Sequence, residues 1–158
     1  MIINSHPPVT DQNIRDCEHE IARAIPEPYR SFLLRHNGGE PRPEFFEWID
    51  EDGVKLGSYV RSFFGIHGQG WDTLDSLAYC NETYLKRERV PLDLFPVAAD
   101  GGSNLILLGA HGERKGKVYF WDHNWEADDG EPPTYRNVHP LADSFEAFLA
   151  MLHEELTN

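Results

Sequence analysis

The sequence predicts an α+β fold, a mainly antiparallel sheet flanked by about four helices. Three observations predict it. Helical and strand patterns succeed one another as helices, strands, helix, strands, helix. Tight-turn residues separate consecutive strands, and such turns join antiparallel neighbours. The regular alternation of strand and helix that builds a doubly wound parallel sheet is missing.

In chain order, Thr10 caps a first helix whose apolar stripe is Ile14, Cys17, Ile21 and Ile25. Pro26 ends it. Pro28 suits the first position of a second helix that buries Tyr29, Phe32, Leu33 and His36. Asn37-Gly38-Gly39 stops that helix, because Gly and Asn tolerate left-handed backbone. Phe45-Phe46-Glu47-Trp48-Ile49 is short and aromatic and reads as a strand, followed by a turn at Glu51-Asp52-Gly53. Residues 54–66 give one or two short strands interrupted at Gly57, and residues 65–70 a glycine-rich loop. Asp72 or Thr73 caps a third helix carrying Leu74, Leu77, Ala78 and Leu85, and Pro91 closes that section. Three strands follow at 95–99, 103–108 and 117–121, joined by the turn Asp100-Gly101-Gly102 and a polar loop at 109–116. Residues 124–133 form an acidic loop and 136–139 a short strand. Asp143 and Glu146 make an acidic capping box before a last helix with Phe145, Phe148, Leu149, Leu152 and Leu156 inward.

The length of 158 residues fits one domain, with no internal repeat, low-complexity tract or linker. An aromatic content of 12% argues against a disordered chain. Cys17 and Cys80 lie in apolar helical patterns and make no disulfide framework, so buried thiols in a reducing, cytoplasmic compartment are expected. Residues 1–9 lack the pattern of a signal peptide, and no apolar window approaches a membrane span. The net charge is −13, from 27 acidic against 14 basic residues. Such a surface repels phosphate backbones and anionic lipid, so neither nucleic acid nor membrane is an expected partner. Solubility alone and attraction to a basic protein both remain open.

Signals for chemistry are weak. The eight His are scattered, and neither Cys-x-x-Cys nor His-Glu-x-x-His occurs, so no metal site is expected. No nucleophile elbow, dinucleotide fingerprint or phosphate loop is present, and no cofactor is expected. Trp121-Asp122-His123-Asn124-Trp125 is the one dense polar-aromatic cluster. Adjacent strand residues point to opposite faces, which argues against an Asp122–His123 acid–base pair. Core placement of Trp121 and strand-end shaping by Asp122 and Asn124 account for the cluster, with Trp125 as a candidate binding anchor.

Four segments in order resemble the SUKH superfamily, the Smi/Knr-type domain. They are the run from Ile25-Pro26-Glu27-Pro28-Tyr29 to Asn37-Gly38-Gly39, then Phe63-Phe64-Gly65-Ile66, then Phe95-Pro96-Val97-Ala98-Ala99-Asp100-Gly101-Gly102-Ser103-Asn104-Leu105-Ile106, then Gly116-Lys117-Val118-Tyr119-Phe120-Trp121-Asp122-His123 with Ala142-Asp143-Ser144-Phe145-Glu146-Ala147-Phe148-Leu149 of the final helix. Ala99 and Ser103 depart from the residues common at those places. The resemblance implies one domain over 1–158, with its core at about 10–156. It implies a protein-binding function without catalytic residues. Bacterial members are commonly immunity proteins that neutralise a toxin, often a nuclease of a contact-dependent or polymorphic system; other members act as regulatory domains. With the acidity, this points to a basic toxin as partner. The candidate contacts are Asp50, Glu51 and Asp52 in one turn, and Trp125, Glu126, Asp128, Asp129 and Glu131 in one loop.

Overall fold

The computed structural model describes residues 1–68 and 73–155. Helix α1 (Asp11–Ile21) begins at a reciprocal cap. The Thr10 hydroxyl accepts from the Asn13 N–H at 3.2 Å, and the Asn13 side-chain oxygen accepts from the Thr10 N–H at 2.9 Å. Its stripe of Ile14, Cys17 and Ile21 is buried. Helix α2 (Glu27–Arg35) carries Pro28 in its first turn and buries Tyr29, Phe32 and Leu33. The helix stops where Gly38 and Gly39 take φ values of 69° and 112°.

Two short strands pair first, β1 (Ile2–Ile3) with β2 (Glu40–Pro41). A separate antiparallel hairpin joins β3 (Phe45–Ile49) to β4 (Lys55–Tyr59). The main sheet has five antiparallel strands in the order β5 (Ser62–Phe63), β6 (Leu94–Ala99), β7 (Leu105–Gly109), β8 (Val118–Trp121) and β9 (Val138–Ala142). Strands β6, β7 and β8 are buried at every position, so both faces of the sheet are covered. Phe120 on one face meets Phe46 and Trp48 of the hairpin. Trp121 on the other meets Tyr84, which follows helix α3 (Leu77–Cys80) in a π-helical turn at Asn81–Leu85. Helix α4 (Phe145–Met151) packs Phe145 on Tyr29 and Phe32, and Phe148 on Phe46.

A bulge between Pro96 and Ala98 takes Val97 out of the β6–β7 ladder. Its carbonyl accepts instead from the Phe64 N–H at 2.9 Å and the buried Tyr29 hydroxyl at 3.0 Å, locking α2 to the sheet. The same hydroxyl also lies against the Phe64 carbonyl. Among the described residues no helix is long and apolar enough to cross a membrane.

The α+β class and the antiparallel sheet stand as expected. Several boundaries do not. The third helix is capped by Ser76, not Thr73, and Leu74 is exposed before it; Asp72 lies outside the described residues. Ser76 wins because its hydroxyl donates to the Thr73 carbonyl and accepts from the Tyr79 N–H. Likewise Ser144 caps α4 one residue after Asp143, accepting from the Ala147 N–H at 3.0 Å. That helix ends at Met151, because His153 turns out to pair with Phe45 on the hairpin; Leu156 lies outside the described residues. Gly57 does not break its strand but sits opposite Glu47 within β4. The second sheet strand starts at Leu105, since Ser103 is held in the turn at φ 68°.

Candidate functional site

The turn between β6 and β7 is a junction of side chains. Asp100 is buried, and its Oδ1 accepts from the N–H groups of Gly102 and Asn104, both at 2.8 Å. Its Oδ2 accepts from the Ser58 hydroxyl at 2.8 Å and the Asn104 amide at 3.0 Å. The Asn104 amide thus takes the Asp100 carboxylate. Its oxygen accepts from the His123 N–H at 3.0 Å and lies 2.6 Å from His123 Nδ1. One turn thus fixes both the hairpin through Ser58 and the start of the acidic loop through His123.

Asp50, Glu51 and Asp52 form the hairpin tip. Asp50 is partly spent on the turn, because its Oδ1 accepts from the N–H groups of Asp52 and Val54 at 3.0 and 2.8 Å. Glu51 and Asp52 are exposed. Beside them Ile49, Val54 and Leu56 are 61%, 51% and 40% exposed, Ile49 and Leu56 on opposite faces of the hairpin. The sequence carried this signal, since Ile49 and Val54 stand immediately on either side of the polar turn.

The loop at 124–133 is less uniformly acidic than its sequence. Glu126 makes a two-point ion pair with Arg89, at 2.8 and 3.1 Å. That pair holds the Arg89 guanidinium charged above its ordinary range, and Arg89 also stacks over Tyr84. Arg136 donates to the carbonyls of Trp125 and Glu126 at 3.0 and 3.2 Å. Trp125 is 65% exposed, and Asp128, Asp129 and Glu131 are exposed as well. The three acids, without Trp125, line a cleft together with Glu88, Glu126, Arg87 and Arg89.

Asp122 and His123 do not pair. Asp122 caps a 3₁₀ turn by accepting from the Asn124 N–H at 2.9 Å, while His123 turns to Asn104. Cys17 and Cys80 are buried, and burial pushes the Cys17 thiol up to about 11 and Cys80 higher still. The histidines are scattered along the chain but not wholly in space, for His6 and His67 converge on Asp75.

Fold and site together define an α+β domain whose polar side chains mainly close turns and pin loops, leaving an acidic and apolar hairpin tip in solvent. The chain belongs to the SMI1/KNR4 family (SUKH-1), whose family model matches residues 8–151. No curated protein was found to match it.

Proposed function

We propose that the protein is an immunity-type binding domain that occupies a basic surface on a toxin, a nuclease domain fitting best, and is itself not an enzyme. The observation that carries the reading is the hairpin tip, where Glu51 and Asp52 are exposed and the flanking strands expose Ile49 on one face and Leu56 on the other, with Val54 beside the turn. A projecting acidic turn with exposed apolar side chains on either face suits insertion into an active site that gathers Lys and Arg around phosphate. The net charge of −13 adds long-range attraction to such a partner. Family membership is consistent with the role. The direct test is growth of cells expressing the toxin-like product of the adjacent upstream reading frame, with and without this chain. Rescue that requires the hairpin tip supports the proposal; toxicity unchanged by the chain overturns it.

A further inference from the structure

We infer that His6, His67 and Asp75 form a binding site for a borderline divalent transition-metal ion, with Zn²⁺ the best match. The ligand atoms come from three separate segments and lie within 4.8 Å of one another. His6 Nε2 is 3.0 Å from Asp75 Oδ2, and His67 Nε2 is 3.4 Å from Asp75 Oδ1. In a tetrahedral site with bonds of about 2.0–2.1 Å, neighbouring ligand atoms stand about 3.3 Å apart. The two imidazole–carboxylate spacings are close to that value but run to different carboxylate oxygens, so a small rotation of Asp75 would bring both histidines onto one oxygen. Two imidazoles and one carboxylate suit Zn²⁺ over Mg²⁺ or Ca²⁺, which take oxygen ligands. Three protein ligands leave a fourth position for water, as in exchangeable zinc sites.

The surrounding chain is organised to bring these ligands together. Asn37 is 3% exposed, and its side chain bonds the neighbours of both histidines. Its amide donates to the Pro7 and Ile66 carbonyls, each at 2.9 Å, and its oxygen accepts from the Ile66 N–H at 2.7 Å. The His6 N–H donates to the Asn37 carbonyl at 3.0 Å. Asp75 is held by its own carbonyl, which accepts from the Gly65 N–H at 2.9 Å. A Cβ on Gly65 would stand 2.9 Å from the Asn37 carbonyl oxygen, so the approach of these segments depends on glycine there. This is backbone support of the kind that fixes ligand orientation in metal sites.

The two rings are stacked, with centroids 3.3 Å apart and planes at 15°. Their in-plane lone pairs then run side by side, so metal binding requires the rings to splay. The side chains of His6 and Asp75 are 26% and 32% exposed, which leaves His6 room to swing. On binding, each Nε2 gives up any proton it carries to solvent, and the metal replaces the imidazole–carboxylate contacts.

The test uses the untagged full chain, stripped with a chelator and titrated with Co²⁺ and then Zn²⁺. Tetrahedral-type Co²⁺ absorption that saturates at one equivalent and is displaced by Zn²⁺ is expected. H6Q and D75N, checked for folding by circular dichroism, should each lower affinity by at least about tenfold. In the unaltered protein, Zn²⁺ should shift the imidazole nitrogen resonances of His6 and His67, a readout that stands whether or not a variant folds. No saturable binding, unshifted His6 and His67 resonances, or undiminished affinity in folded H6Q or D75N would overturn the assignment.

Discussion

The Ser58 hydroxyl donates to the buried Asp100 carboxylate at 2.8 Å and so ties the projecting hairpin to the turn between β6 and β7. Asp100 also receives the N–H groups of Gly102 and Asn104 and the Asn104 amide. Replacing it with Ala leaves these donors without their shared acceptor in a part-buried site. D100A should cost about 2–3 kcal/mol in urea unfolding. S58A removes one bond and should cost about 1 kcal/mol or less. Equal losses in the two variants would mean that the turn does not depend on Asp100 as its hub.

Two glycines separate a soft collision from a hard one. A Cβ on Gly101 would stand 1.8 Å from the Tyr59 hydroxyl, the far end of a side chain 40% exposed and able to swing away. A Cβ on Gly109 would stand 1.7 Å from the Arg114 carbonyl oxygen, which is backbone and can move only with the whole β7–β8 loop. G109A is therefore expected to lose about 3 kcal/mol and G101A less than about 1 kcal/mol in denaturant titration. The reverse ranking would show that the β7–β8 loop yields more easily than Tyr59.

The starts of the first two helices and the end of the second were legible because their signals are local: Thr10, Pro28 and the Gly38-Gly39 pair act within a turn of where they stand, whereas α1 stops at Ile21, where Ala22 turns left-handed, short of the expected Ile25 and Pro26. The caps of α3 and α4 were misplaced by the same local logic, since Thr73 and Asp143 are as good caps in isolation as Ser76 and Ser144. Tertiary contacts decide between them. Gly65 bridges to Ser76 at the start of α3, and the end of α4 is set in the same way, where His153 pairs with Phe45. The site shows the same division. The acids of the hairpin tip and loop are visible in sequence, but the partner that engages Glu126 is Arg89, 37 residues away. His6 and Asp75, 69 residues apart, carry no spacing motif at all.

Both cysteines should resist modification in the folded protein. Cys17 and Cys80 are buried, and desolvation disfavours the thiolate that reacts. A disulfide-exchange reagent is expected to label neither thiol in buffer and both in denaturant. The pH dependence follows in sign. The Cys17 thiol is raised from 9.0 to about 11 in the fold, so above about pH 8.5 the unfolded chain releases a proton that the folded chain keeps. That contribution to stability is complete below about pH 8.5 and is lost as pH rises through about 11. C17A should show a shallower fall in urea midpoint between about pH 8 and about pH 10 than the unaltered protein. Identical slopes would place the Cys17 thiol in water.

The two acidic regions can be told apart by kinetics, because charges at a rim govern encounter while buried apolar anchors govern release. Asp50 is left unaltered, since it holds the tip through Asp52 and Val54. Glu126 is left unaltered because it pairs with Arg89. E51Q with D52N should then slow association with the proposed toxin partner about two- to tenfold at low salt and flatten its salt dependence, with dissociation nearly unchanged. I49A and L56A should instead speed dissociation, because these side chains supply the apolar area. The same comparison at the loop uses D128N, D129N and E131Q for encounter and W125A for release. Stopped-flow rates over a salt series distinguish the surfaces: the region whose charge changes flatten the salt slope is the one that faces the partner. An association rate indifferent to salt in the unaltered protein removes the electrostatic argument for both, and the hairpin would then have to bind through Ile49, Val54 and Leu56 alone.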